Sequence, residues 1–422
     1  MLSSFKIIDK RYPFSEIVHG FAIVSIATIF ENLGSIYVYA LISVIGMYYI
    51  GRGFYRMRNR LRCPFGSVYK TLLKLYAILV VIMIIRGYTI DYQYPWVSFQ
   101  GAVNAHFFNR TYIICWLMPL LTFIPRDEFK FTPLVKVSEL FSCISIICFI
   151  LFYKQIYAAS IANALGKSVD TGISFQALGQ IYINTAFIAL CQKYIPAKTW
   201  WLNIAALLIS LLILVMAGRR GASAVSGILL LASIYFWIKS KNSLTQLFVY
   251  PIIAVGIIIS VIIAMDMKSF RFIQDRGLED TRSEVDISLM NQMNDTQLIW
   301  GKGLNGRYYH NLHLSDDTYN GWRYMTETGY YLLILKGGYV FAWLYIILLL
   351  IPALKGMFDS RNILSKVLGF YIFLSLLELY PWGHPTFNLK FMIIWSGVSL
   401  CMSRQFRQLS DSQIKHIFFA NK

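Results

Sequence analysis

The sequence predicts an all-α, polytopic integral membrane protein of about twelve transmembrane helices with one large loop between helices nine and ten. Three observations carry that reading. Hydrophobic residues make up 57% of the 422 residues and charged ones only 14%, against about 25% charged in a soluble chain. Mean hydropathy is +0.55. Apolar runs long enough to cross a bilayer recur from end to end. Disorder, coiled coil and a secreted disulfide scaffold are excluded.

The expected spans are Ser15–Phe30, Ser35–Ile50, Val68–Ile85, Thr111–Ile124, Val137–Tyr157, Phe175–Cys191, Trp200–Gly218, Gly221–Ile238, Leu247–Met265, Gly329–Leu354, Leu364–Tyr380 and Phe387–Met402. Three regions follow: residues 1–265 with spans one to nine, the loop 266–328, and residues 329–422 with spans ten to twelve and a tail. The first segment lacks a short apolar run ending in a small-residue cleavage site, so it is expected to be retained.

Charge orients the spans. Net charge is +18, from 39 Lys+Arg and 21 Asp+Glu. With the N-terminus inside, 23 of the 39 basic residues fall on the inside, among them Arg52, Arg56, Arg58, Arg60 and Arg62. Short outside connections carry few, as the positive-inside rule requires. An even span count then puts both termini in the cytoplasm. The basic excess is explained by orientation, and nucleic acid is not a partner. Six cysteines form no CxxC pair and no His/Cys cluster, so neither disulfides nor metal are inferred.

Asp266 to Thr328 is a 63-residue outside connection holding ten of the 21 acidic residues and seven basic ones, among them Arg276 and Arg282. Within it, Val285, Leu289 and Met293 recur at helical spacing over Thr281–Thr296, the pattern of an amphipathic helix on a membrane surface. The outside loop Gly87–Arg110 holds seven Tyr, Trp and Phe residues. It reads as an interfacial belt, or alternatively as a stacking or lid surface.

Three places can carry chemistry. Gly218-Arg219-Arg220-Gly221 joins spans seven and eight with almost no loop, which fixes two guanidiniums at the outer boundary. Arg matches phosphate with a rigid fork of donors, and the positive-inside rule disfavours it there. Arg282 begins the amphipathic helix. Glu327-Thr328 opens span ten, where burial raises a carboxyl toward neutrality and suits it to general-base work. Gly301-Lys302-Gly303-Leu304-Asn305-Gly306 fits GxGxxG but follows no strand, so no nucleotide role is expected. His310 and His313 lack a third ligand, so no metal is expected there. Lys390, early in span twelve, needs a partner or a water-filled cavity; Glu378 and His384 are near in sequence.

These features in this order resemble the O-antigen polymerase and O-antigen ligase superfamily of bacterial envelope glycosyltransferases. They are an Arg-Gly-Ala at the outer end of a span, a large periplasmic loop with an Arg at the start of an amphipathic helix, and a polar pair opening a span with Gly-Gly about ten residues on. The motif-bearing part is Leu202–Phe341. Arg220 matches the family's first Arg, with Arg219 beside it, and Arg282 the second. Ligases open the following span with His-Asn, nine residues, then Gly. Here Glu327-Thr328, nine residues, then Gly338 occupies that register. His310-Asn311 with Gly321 fits the letters but not an apolar span. The missing His favours a polymerase. Lys390 sits where members place a basic residue near the outer start of the last span.

The resemblance implies a lipid-diphosphate-dependent glycosyltransferase of the bacterial inner membrane. It would polymerise undecaprenyl-diphosphate-linked oligosaccharide repeat units into O-antigen or capsular polysaccharide, with inversion and without metal or cofactor. Arg220, Arg282 and Glu327 are the expected catalytic residues; Arg219, Arg276, Lys390, His310 and His313 the expected substrate-binding ones. Implied partners are the lipid-linked donor and acceptor, the bilayer, a chain-length regulator and a flippase. The alternatives are a ligase that transfers glycan to lipid A–core, and a polytopic transporter.

Overall fold

A computed structural model of the chain describes residues 12–32, 36–63, 65–89, 113–164, 175–217, 219–239, 281–310, 318–319, 322–326, 328–380 and 383–419. It is mostly helical. The main helices are α1 (Pro13–Asn32), α2 (Ile36–Met57), α3 (Ser67–Thr89), α4 (Thr132–Ala164), α5 (Phe175–Ile183), α6 (Ala197–Met216), α7 (Arg220–Lys239), α8 (Thr281–Asn291), α9 (Asp295–Trp300), α10 (Gly329–Phe358), α11 (Ile363–Glu378) and α12 (Leu389–Met402). Among the described residues, six helices are long and apolar enough to cross a membrane: α1, α3, α4, α6, α7 and α10. The long helices follow the apolar runs because a backbone in lipid must satisfy every N–H and C=O within its own segment.

Three sequence expectations need correction. Thr111–Ile124 is no α-helix. Residues Ile113–Phe123 form a 3-10 helix with Pro119 inside it. Proline removes a donor and clashes with the preceding turn, and the segment packs on α12. The sixth expected span is broken: α5 ends at Ile183 and a 3-10 helix, Ala186–Cys191, follows the buried Thr185. Third, the amphipathic stripe of α8 does not face lipid. Val285 and Leu289, with Met293 just past the end of α8, are covered by protein and join the main apolar core. Leu247–Met265 lies outside the described residues.

The helices pair closely where side chains are small. α1 and α2 meet at Gly20 and Gly46, where a Cβ on Gly20 would lie 2.6 Å from the Gly46 carbonyl oxygen. Small residues let membrane helices approach in this way. α10 packs on α3, α11 and α12 around Tyr76, Phe341 and Trp395.

Two ends of the bundle are distinct. At the tail end, Phe14 meets Phe129 with ring centroids 4.8 Å apart. The Phe131 N–H donates to the Phe418 carbonyl at 2.9 Å. The start of α1 and the Phe418 segment are thus held by one segment, Phe129–Phe131. Arg56 pairs with the buried Glu16 at 2.7 Å, and Arg60 with Glu128. Asp411 accepts from Lys193 Nζ (2.7 Å), Tyr194 OH (2.5 Å) and the Ile363 N–H (2.9 Å) at the start of α11. Burial alone would raise the Asp411 carboxyl, but these three donors outweigh it and hold it below the usual carboxylate range. The opposite end, here the loop end, carries the starts of α7, α10 and α12 and the closing turns of α3 and α11.

Candidate functional site

At the loop end a small folded cap sits on the opening of α10. α8 is followed by α9, whose first turn is closed by a capping box: Asn294 accepts from the Gln297 N–H, and the Gln297 side chain accepts from the Asn294 N–H. Three two-residue strands follow, β1 (Tyr308–Tyr309), β2 (Thr318–Tyr319) and β3 (Trp322–Arg323), antiparallel with β3 central. Gln292, just past the end of α8, fixes both backbone groups of Tyr309 in β1. Its Nε2 donates to the Tyr309 carbonyl at 2.8 Å, and its Oε1 accepts from the Tyr309 N–H at 2.7 Å. One more bond ties the cap to the bundle: Thr328 Oγ1 donates to Asp286 Oδ2 at 3.0 Å. Arg282 lies one helical turn before Asp286 on α8, so this bond brings the helix of Arg282 to Thr328, at the opening of α10.

α10 is not continuous. At Gly338 φ is 72° and ψ −177°, a region only glycine occupies without strain. The break leaves the carbonyls of the preceding turn in need of donors, and the Gly301–Gly306 segment supplies them. The Lys302 N–H donates to the Leu335 carbonyl at 2.7 Å and the Gly303 N–H to the Lys336 carbonyl at 3.0 Å. An unanswered buried carbonyl would cost about 1–3 kcal/mol each. The same segment grips the end of α3. The Leu304 N–H donates to the Met83 carbonyl at 2.9 Å, Asn305 Nδ2 to the Gly87 carbonyl at 3.0 Å, and Arg86 Nη2 to the Gly301 carbonyl at 2.9 Å. Gly303 has φ 83°, and a Cβ there would lie 2.2 Å from the Gly87 nitrogen. The GxGxxG match is thus a wedge between α3 and the broken helix.

Basic side chains gather around this wedge. Lys336, on the last turn before the break, is 4% exposed, and Lys302 is 5% exposed. Lys336 Nζ donates to the Gly306 carbonyl at 2.9 Å and lies 5.8 Å from the Tyr324 ring centroid. The Arg307 guanidinium lies 5.7 Å from the same centroid. Lys302 Nζ donates to the Arg307 carbonyl at 3.2 Å. Arg323 is buried in β3 opposite Tyr308.

The sequence-predicted residues fall as follows. Arg219 and Arg220 are exposed at the start of α7. α6 begins at the tail end, where Thr199 Oγ1 donates to Glu139 of α4 at 2.5 Å. Its 20 residues span about 30 Å, which puts the Arg219–Arg220 turn at the loop end, the end that also holds Arg282 and Thr328. Lys390 is paired with Glu378 across the turn between α11 and α12, one of the two nearby groups the sequence offered. His310 follows β1 and is half-buried. Arg276, His313 and Glu327 lie outside the described residues. Sequence reasoning missed Lys336, Arg307, Arg323 and Lys302 as a group. One signal was present: a single lysine eight residues into the apolar run from Gly329, where an ionisable group marks function by default.

The fold and this site define a helical membrane protein with a small folded cap seated on a discontinuous helix. No protein family, no characterised protein and no solved structure matches the chain.

Proposed function

We propose that the chain is a glycosyltransferase acting at the outer face of the bacterial inner membrane. It polymerises undecaprenyl-diphosphate-linked oligosaccharide repeat units into O-antigen or capsular polysaccharide. In this reading twelve spans cross the membrane, both termini are cytoplasmic and residues 266–328 face the periplasm. The observation that carries it is the Thr328–Asp286 hydrogen bond, because it joins the helix of Arg282 to Thr328, at the opening of α10.

The chemistry follows from the donor. Energy resides in the lipid diphosphate, whose leaving group gains negative charge in the transition state. Fixed cations aimed at that charge are the largest expected catalytic contribution. Arg220 and Arg282 supply them, each charge-assisted bond contributing about 1.5–3 kcal/mol. Glu327 accepts the proton of the attacking hydroxyl, and direct displacement inverts the anomeric centre. Replacing Glu327 with Gln keeps size and hydrogen bonding but removes the base, which typically contributes about 10²–10⁴-fold.

The test is complementation of a deletion strain, read as the ladder of polysaccharide chain lengths. Glu327→Gln at native protein level is expected to collapse the ladder to single repeat units. An intact ladder rejects the base assignment, and uncapped core in the deletion strain assigns a ligase instead. A second reading draws on the broken α10: discontinuous helices are also a feature of secondary transporters. A deletion strain that forms a normal ladder but fails to take up a substrate decides for it.

A further inference from the structure

Lys336 is buried, and its hydrogen bond goes to a neutral carbonyl, that of Gly306. Among the described residues no carboxylate pairs with it. By contrast, the buried Arg407 has its acid, Asp359, at 2.7 Å, and the half-buried Lys390 has Glu378. An ammonium carries three donors, and Lys336 uses one on Gly306 while its charge rests on the Tyr324 ring. Burying a charge without a partner is costly, and in a membrane helix such a group marks a substrate pathway. The same ring holds Arg307 at 5.7 Å, so two like charges converge on one tyrosine. They sit at the break of a discontinuous helix, the place where membrane proteins build ligand sites.

We propose that Lys336, with Arg307, forms an oxyanion-binding site beside Tyr324 that takes a phosphoryl or carboxylate group of the substrate. The proposal deepens the glycosyltransferase reading and rests on it for the substrate's identity. Two sources offer that chemistry: the diphosphate of the lipid-linked donor and the carboxylate of an acidic sugar in the repeat unit. The oxyanion would accept from the two unused N–H groups of Lys336, with the positive charge of Arg307 at the same ring. Tyr324 and the Gly306 carbonyl hold the ammonium in place between turnovers.

The experiment uses the full chain purified in detergent, with inorganic pyrophosphate and glucuronate as separate probes, read by thermal stabilisation and by isothermal titration. Wild type is expected to bind one of the two, and the one bound identifies the source. Lys336→Met is expected to weaken that binding at least about tenfold while leaving the ligand-free protein as stable as wild type or more so, because a lone buried charge has been removed. Lys336→Gln keeps a donor for Gly306 and is expected to lose binding in the same way, which covers a poorly folding Met variant. Unchanged affinity in either variant overturns the proposal, as does a wild-type protein that binds neither anion. Because binding is read without polymerisation, loss of the ladder in a variant that still binds points to the glycosyltransferase chemistry and away from Lys336.

Discussion

Replacing Gly338 with Ala tests the broken helix directly. The new Cβ would lie 2.1 Å from the Ile299 carbonyl oxygen, 2.3 Å from its carbon and 2.5 Å from the Trp300 nitrogen. All three are backbone atoms of α9 and cannot swing aside. Backbone in this glycine-only region costs another residue about 1–3 kcal/mol, and overpacking adds about 1–3 kcal/mol. The expected loss is therefore about 2–6 kcal/mol. The assay is thermal unfolding in detergent, followed by tryptophan fluorescence, and Tm should fall by at least about 2 °C. Limited proteolysis should cut the Gly301–Gly306 segment as it lifts off α10. Gly51→Ala is the control: it lies in α2 with open space around its Cβ position, and alanine there should stabilise by about 0.5–1 kcal/mol. A Gly338→Ala protein with wild-type Tm and wild-type protease resistance would refute the argument that α10 is locked open by the wedge.

The remaining predictions concern charge and orientation. Arg220→Ala or Arg282→Ala should abolish chain extension at normal protein level, with Arg→Lys a poor rescue because a point charge cannot replace a two-pronged donor; a normal ladder from Arg282→Ala removes that residue from the site. A single cysteine at Ser315, in a background lacking the six native cysteines, should react with an impermeant thiol reagent in intact spheroplasts, whereas reaction only after the inner membrane is opened reverses the topology. The Asp411 carboxyl is held low in the folded protein, so its stabilising contribution is complete above the unfolded value of about 4 and disappears as pH falls through the lower folded value. Asp411→Asn should remove that part of the acid sensitivity, measured as Tm against pH between about pH 2 and 6, and an unchanged profile would show that Asp411 contributes nothing to it.

The positions of the long helices were legible because a lipid-spanning segment must be apolar over its whole length, and Gly329–Phe358 and Ala197–Met216 announce themselves in that way. For Lys390 the need for a partner or a water-filled cavity was legible, but the choice of Glu378 over the equally near His384 was not, because it depends on how the turn between α11 and α12 folds. What was not legible arises from contacts between distant segments. Gly338 looked like a motif spacer, and Gly301 and Gly303 like a false nucleotide motif. They belong together only because Gly87, Gly303 and Gly338 come from three parts of the chain that meet at backbone distance. The stripe of α8 read as lipid-facing because hydropathy cannot distinguish a bilayer from a protein core of the same polarity. Pro119 was visible in Thr111–Ile124, and its incompatibility with an α-helix was the available warning.

The clasp at Phe129–Phe131 has a consequence for the order in which the protein is made. Lys130 donates to the Ile417 carbonyl, 287 positions further along the chain, beside the Phe131–Phe418 bond. A ribosome delivers α1 to α4 long before it delivers that tail. Until that segment arrives, the aromatic seat that receives Phe418 and Phe419 stays open. Residues made far later than α4 thus finish the packing around Phe131, and Phe418→Ala would leave an unfilled aromatic socket there for quality-control proteases to read.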